Sequence, residues 1–311
     1  MEKKAIMSKE VYHIKTVSQY HKFRGLVGPA HPLVSVIDFE RMQYETSKNG
    51  AHLVFDFYSI ALKRNLNGKI TYGQQEYDFD EGVLFFLSPG QVFSIKQKQK
   101  GASNLSGWML LVHPDFLWGT GLATSIRRYG FFNYSVHEAL FLSDKEESIL
   151  NEIIKNIEHE HLDTTDKFSK GIIVSQIEAL LNYANRFYNR QFLTREVSNE
   201  RILEKLEALL LDYFDQKNAV LEGIPSVHYV AEKMNLSPDY LSNMLKAVTG
   251  LNTQQHIHES LIKKAREKLS VSELSISEIA YELGFEHPQS FSKLFKSKTG
   301  FTPSAFRRSF D

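Results

Sequence analysis

The chain has 311 residues, with 37 Lys+Arg against 37 Asp+Glu and no cysteine. At roughly 100–200 residues per domain this length suggests two or three domains. A net charge of zero excludes a polybasic scaffold, and the missing thiols exclude disulfides, thiolate catalysis and sulfur-ligated zinc. No apolar run approaches the roughly 20 residues that span a bilayer, and no h-region follows the charged start MEKKAIMSKE, so the expectation is a cytoplasmic protein with no membrane partner.

Residues 1–142 read as β-rich. Short runs rich in Val, Ile, Phe and Tyr recur at 32–39, 52–63, 68–79, 83–88, 91–97 and 107–113. Turn formers separate them, among them Asn67-Gly68, Asp80-Glu81-Gly82 and Ser88-Pro89-Gly90. Many short strands at close spacing predict an antiparallel sandwich or barrel. Residues 143–190 then switch to a helical period. Ile149, Leu150, Ile153, Ile154 and Ile157 form one stripe; Ile173, Val174, Ile177, Leu180, Leu181 and Ala184 form a second. These stripes either pack on their own domain or pair the chain with a second copy as a homodimer. Residues 191–205 are polar and without clear period, which predicts a linker. Residues 206–311 read as all helix.

The last stretch contains a repeat. VAEKMNLSPDYLSNMLKAVTG (230–250) matches IAYELGFEHPQSFSKLFKSKTG (279–300), and from Leu241 onward the two copies run at an offset of fifty. Each copy follows the grammar of a helix-turn-helix. A small residue, Ala231 or Ala280, lies where a second helix crosses. Asn235 or Gly284 takes the left-handed turn position. Proline opens the next helix at Pro238 or Pro288, and Thr-Gly closes it. Between the copies, Ile257, Leu261, Ile262, Ala265 and Leu269 share one face of a connecting helix.

On these residues, and on IKKAREKL, ISEIAYELGFEHPQSFSKLFKSKTGFTPSAFRR and the closing Pro303-Ser304 with Phe306-Arg307, residues 225–311 resemble the DNA-binding domain of the AraC/XylS family of transcriptional regulators. The resemblance extends loosely to the N-terminal region, which is similar to a cupin-like sensor barrel. It implies an α+β multidomain protein: a cupin-like β-barrel over 1–142, a helical pair at 143–190 as candidate dimerisation element, a linker at 191–205 and a double helix-turn-helix domain over 206–311, with motifs at about 225–250 and 275–300.

The same resemblance implies a sequence-specific regulator, expected to be an activator. Its partners would be double-stranded DNA, RNA polymerase, a small-molecule effector in the barrel and a second copy through 143–190. The second helix of each motif would enter the major groove. Asp239, Ser242 and Asn243, then Gln289, Ser292 and Lys293, are the candidate base contacts, since Asn and Gln match adenine and Lys reaches guanine acceptors. Lys246, Lys296, Lys298 and Arg307 are the candidate phosphate contacts. Residues 287–310 support such a footprint, with five basic residues and no acidic one. Over 225–311, eleven basic residues stand against nine acidic, a net of only +2.

For the effector, Phe57, Tyr58, Tyr72, Phe86 and Trp108 are the aromatic pocket candidates, although core filling is the plainer role for each. Cupin enzymes hold a metal with a histidine pair and a glutamate; the corresponding stretch, Gly68–Gly82, has Glu76 but no histidine. No phosphate loop and no nucleophile elbow occur, so neither catalytic residues, a metal nor a cofactor is expected. Two alternatives stay open: a constitutive DNA-binding regulator whose barrel serves only dimerisation, and a cupin enzyme with a DNA-binding tail.

Overall fold

The computed structural model describes residues 11–42, 52–64, 70–72, 75–77, 82–94, 106–135, 138–162, 166–194, 196–216, 218–271 and 273–309. The chain divides into two compact units, Met1–Gln191 and Phe192–Asp311.

The first unit starts with β1 (Val11–Ile14) and α1 (Val17–Phe23), followed by β2 (Val34–Asp38) and β3 (His52–Phe55). β4 (Tyr58–Arg64), β5 (Ile70–Tyr72), β6 (Gln75–Tyr77), β7 (Val83–Leu87), β8 (Val92–Ser94) and β9 (Ser106–Val112) come next. After two short helices, α2 (Pro114–Leu117) and α3 (Leu122–Ser125), come β10 (Leu140–Phe141), α4 (Asp144–Leu162) and α5 (Ser169–Thr194). Among the described residues the strands form separate sheets, β1-β3-β8, β10-β7-β4-β9-β2 and β5-β6. A closed barrel is therefore not what these strands display; the N-terminal region is sheet-rich, with sheets that remain distinct.

The run at 52–63 is two strands rather than one. A bend at Asp56-Phe57 separates them, and β3 and β4 join different sheets. No glycine or proline marks that bend in the sequence. Ser88-Pro89-Gly90 does form the expected turn: Gly90 has φ 81° and donates to the Phe55 carbonyl at 2.7 Å. The predicted turn at Asn67-Gly68 lies outside the described residues.

Strand alternation gives the larger sheet two faces. Tyr58, Ile60 and Leu62 share one face with Phe86 and Trp108, which lie opposite Ile60 and Leu62 in the register. α4 is fastened to this face by polar contacts. Trp108 Nε1 donates to Asn151 Oδ1 at 2.7 Å, and Arg64 pairs with Glu147, which is buried. The opposite face carries Ala61, Lys63 and Met109. Ala61 and Met109 join an apolar cluster with Phe39, Leu53, Phe55 and Tyr20.

Apart from Ile149, which is half-buried, the helical stripes read at 143–190 are spent inside the unit. Leu150, Ile153, Ile154 and Ile157 on α4, and Ile173, Val174, Ile177, Leu180, Leu181 and Ala184 on α5, are each at most 7% exposed. Of the two roles open to them, packing on their own unit is the one the structure contains.

The second unit comprises α6 (Glu196–Asp215), α7 (Asn218–Glu222), α8 (Val227–Lys233), α9 (Pro238–Thr249), α10 (Thr253–Val271), α11 (Ile276–Glu282), α12 (Pro288–Thr299) and α13 (Pro303–Arg307). The stretch 191–205, read as a linker, is helical wherever it is described: the end of α5 and the first half of α6. Its polar composition hid a buried side, with Leu206 and Leu210 continuing it at 1% and 3% exposure.

Candidate nucleic-acid interface

Each repeat folds by the same local devices. Ser237 caps α9 by accepting from Tyr240 N, and Pro238 occupies the first helical turn. Pro288 does the same on α12, where His287 stands at the cap position without a side-chain bond. Ser275 and Glu278 form a reciprocal capping box at the start of α11. Asn235 has φ 54° and Gly284 φ 87°, so both left-handed turn positions fall where the repeat places them. Gly284 has no room for a side chain. A Cβ there would lie 2.7 Å from Gly223 C and 2.9 Å from the Ala219 carbonyl oxygen.

The offset of fifty holds at atomic detail. Thr249 Oγ1 donates to the Leu245 carbonyl at 2.8 Å, and Thr299 Oγ1 donates to that of Phe295 at 2.8 Å. Leu251 N and Phe301 N each donate back to that threonine at 3.2 Å. Gly250 and Gly300 both stop their helices at φ 80°. The helices α9 and α12 thus end in one geometry.

Beneath α9 lie Leu241, Met244 and Leu245, all at 0% exposure; beneath α12 lie Phe291 and Phe295, also at 0%. The predicted face of α10 is buried along its length, from Ile257 to Leu269. At about 1.5 Å per residue its 19 residues make a strut of about 28 Å between the motifs. Two of its lysines are tied down. Lys264 bonds Asp215 at 2.7 Å and Glu267 at 2.9 Å, which raises its pKa, and Lys268 bonds Glu282 at 2.6 Å. Lys263 and Arg266 of α10 stay exposed, as do Lys246 on α9 and Lys293, Lys296 and Lys298 on α12.

The candidate base-contact residues divide by exposure. Asn243, Gln289 and Lys293 are exposed; Asp239, Ser242 and Ser292 are half-buried. Ser242 Oγ lies 2.9 Å from Oγ1 of the fully buried Thr253, so its hydroxyl is already engaged with the start of α10. Tyr240, which the helical wheel places outward, is 3% exposed and stands edge-on to Phe192 at 5.2 Å between ring centres. Its size let it reach around the helix to an apolar neighbour that a repeat comparison does not reveal.

The phosphate candidates divide too. Lys246, Lys296 and Lys298 are exposed, and Lys298 bears on His258 of α10, whose pKa burial lowers first and this neighbouring cation lowers further. Arg307 differs from them. Its Nε and Nη2 are buried with no hydrogen-bond partner, beside Phe306, over whose ring Arg266 stacks at 6.0 Å. That guanidinium faces inward at two of its three nitrogens. Arg308 is exposed instead, a neighbour the sequence reading passed over.

In the first unit the aromatic candidates do not converge. Phe57 is a core residue stacked on Phe55 at 4.7 Å. Phe86 is enclosed by Phe131, Phe132 and Tyr188, and Trp108 is bonded to α4. The Tyr72 side chain lies outside the described residues. Tyr58 borders an open cleft of about 360 Å³, which Ser88, Leu117, Ile126 and Arg127 also line. His21 is buried rather than superficial, with Nδ1 donating to the Val27 carbonyl at 2.5 Å and Nε2 3.0 Å from Ser35 Oγ. Among the described residues no group of His, Asp or Glu has the arrangement of a metal site, and no helix is long and apolar enough to cross a membrane.

Comparison with known proteins bears on the second unit above all. A family profile described as "Helix-turn-helix domain" matches residues 230–309. The "Uncharacterized transcriptional regulatory protein YesN" of Bacillus subtilis is 30% identical over 141 residues, which cover 45% of this chain and 37% of that protein. The "HTH-type transcriptional activator RhaS" of Citrobacter koseri is 25% identical over 260 residues, covering 82% of this chain and 87% of that protein. Among solved structures, the C-terminal domain of AraT, a response regulator from Geobacillus stearothermophilus, is 31% identical at a TM-score of 0.31, covering 35% of this chain and 84% of that one.

Proposed function

From the chain's membership of the AraC/XylS family of transcriptional regulators, we propose that it binds specific double-stranded DNA through α9 and α12 and thereby regulates transcription as an activator. The observation that carries this reading is the duplicated motif, two helices with the same opening proline and the same glycine stop joined by one buried-faced strut. A helix fits the major groove, where all four base pairs differ in their donors and acceptors. Two helices on one rigid support would read successive grooves about one turn apart, roughly 34 Å. Asn243, Gln289 and Lys293 are the readers best presented for base edges; Asp239, Ser242 and Ser292 stand at the margins of that surface. Lys246, Lys296 and Lys298 would hold phosphates and fix the register.

The net of +2 over residues 225–311 supplies little non-specific attraction, so a second copy bound beside the first would add the missing affinity. Because the stripes of α4 and α5 are already buried, a homodimer would use exposed residues of that region such as Phe168 and Ile172. The sheet-rich unit would bind a small-molecule effector and bias how the reading helices are presented, with RNA polymerase as the partner that activation requires. No catalytic step is assigned to either unit.

Selection of bound sequences from random duplex DNA, with the full chain and a Gln289→Ala, Lys293→Ala double variant at two salt concentrations, tests the reading. The expected result is a motif of two blocks, of which the variant loses one. Binding without sequence preference, equal in both proteins, would overturn it.

A further inference from the structure

The cleft of about 360 Å³ in the first unit has a volume suited to a small molecule, whose sites run to roughly 300–1,000 Å³. Tyr58, at the start of β4, lines it while only 9% exposed, with its ring edge-on to Phe132 at 5.1 Å. Leu117 of α2 and Ile126, in the short turn Ile126–Arg128 that follows α3, add apolar surface; they are 0% and 2% exposed. Ser88 and Pro89 line it from the turn between β7 and β8. That turn is anchored: Ser88 N donates to Gln91 Oε1 at 3.2 Å, and Gln91 N donates to the Ser88 carbonyl at 3.3 Å. The cleft therefore rests on buried side chains and a pinned turn.

Its polar groups are donors to which the fold supplies no acceptor. Arg127 is exposed, and among the described residues it forms neither an ion pair nor a hydrogen bond. Arg64 and Arg190 of the same unit are paired, with Glu147 and Glu146. Asp115, on α2 beside the cleft, is engaged by His113 at 3.5 Å rather than by Arg127. The side-chain hydroxyls of Tyr58 and Ser88 likewise bond nothing among the described residues, although a buried tyrosine hydroxyl usually has a partner. Among the described lining residues Arg127 is the one that carries a charge. A guanidinium matches a carboxylate with two parallel hydrogen bonds, and hydroxyls can donate to the same group. One positive charge balances a carboxylate and leaves a phosphate dianion half neutralised.

We propose that this cleft binds a small organic monocarboxylate, with Arg127 and the Tyr58 and Ser88 hydroxyls on the carboxylate and an apolar body against Leu117, Ile126 and Pro89. The inference rests on the reading of this unit as the effector-binding one and gives that effector a place and a chemical class. The place is set apart from the apolar cluster of Phe39, Leu53 and Phe55. Tyr58 points with Ile60 and Leu62 to one face of the larger sheet, whereas Ala61 and Met109 join that cluster from the other.

The test uses the full chain with Arg127→Gln, Tyr58→Phe and, as control, Arg128→Gln, which removes an exposed charge just outside the lining. Binding of phenylacetate, hexanoate and benzoate is measured by calorimetry. Phenylacetamide, which lacks the charge, and acetate, which lacks the apolar body, are measured beside them. Affinity for a selected DNA sequence is recorded with and without each compound. At least one of the three acids should bind the wild type and Arg128→Gln alike, and more tightly than the amide or acetate. Arg127→Gln should weaken that acid by about tenfold or more and Tyr58→Phe by about threefold, while Arg127→Gln without ligand melts as the wild type does. Binding of none of the three acids would overturn the proposal. So would an affinity that Arg127→Gln leaves unchanged, or that Arg128→Gln lowers as much. An acid that binds through Arg127 without changing DNA affinity supports the site and contradicts the effector reading. DNA affinity that responds to the amide and to no acid overturns the carboxylate class and leaves the effector reading standing.

Discussion

At the scale of single residues, two positions carry most of the argument because their chemistry conflicts with their surroundings unless a specific reason exists. Gly284 combines a left-handed backbone with atoms of Gly223 and Ala219 where a Cβ would be. Gly284→Ala should therefore destabilise the second unit by about 2 kcal/mol or more, read as a lower urea midpoint at unchanged slope. An unchanged midpoint would mean that the turn relaxes without cost. Lys63 makes the opposite prediction. Its folded pKa is depressed to about 8, so the folded state gives up this proton before the unfolded chain does. The unfolded chain then holds more protons above pH 8, and stability rises with pH there. The cost of the charge is fully present below pH 8 and is relieved toward the pH at which an unfolded lysine titrates, roughly 10.4. The stability gap between Lys63→Met and wild type should hence narrow between pH 8 and 10. Arg24 is the charged neighbour, and it does not titrate in this window. A gap independent of pH would contradict the lowered pKa of this ammonium.

At the scale of elements, the reading helices were legible in the sequence and their surroundings were less so. Proline at the start, Thr-Gly at the end and apolar residues between are local signals, and α9 and α12 run between those punctuation marks. The face of α10 was equally plain because a single period of buried residues runs its whole length. Tyr240 was misjudged because a helical wheel cannot see Phe192, a residue far away in sequence. β3 and β4 were fused because their boundary at Asp56-Phe57 is set by exchange between sheets, not by turn chemistry. The stretch 191–205 read as a linker because its helices bury few residues and expose many. Cap chemistry gives a direct check at this scale. Ser275→Ala removes the hydroxyl that receives Glu278 N, and should cost about 1 kcal/mol in the second unit. Lys296→Ala should leave the preferred DNA sequence unchanged while reducing the slope of log affinity against log salt by about one. A changed sequence preference would make Lys296 a reader instead.

At the scale of the whole molecule, the two units differ in how far sequence alone could reach. The helical unit is specified by a repeat, and a repeat checks itself: what one copy leaves ambiguous, the other resolves. Asn235 gained its left-handed role because Gly284 holds the matching place. The sheet-rich unit has no such internal reference, and its strands were found without their partners. The pocket residues chosen from it were large aromatics, which any core collects. Charge is distributed in keeping with this division of labour. Lys264 and Lys268 are tied to carboxylates and brace the strut, while Lys246, Lys293, Lys296 and Lys298 stand exposed on the helices that would meet DNA.

The central claim is that one chain reads two DNA segments at a spacing fixed by α10. The most direct test inserts five base pairs, about half a turn, between the two blocks of a selected site and measures the affinity of the full chain. A rigid strut predicts a fall of at least tenfold, partly restored when about ten base pairs are inserted and the chain again meets one block on its proper face. Equal affinity for the original and the five-base-pair insertion would contradict the account, because it would mean that the two motifs do not read DNA as one rigid pair.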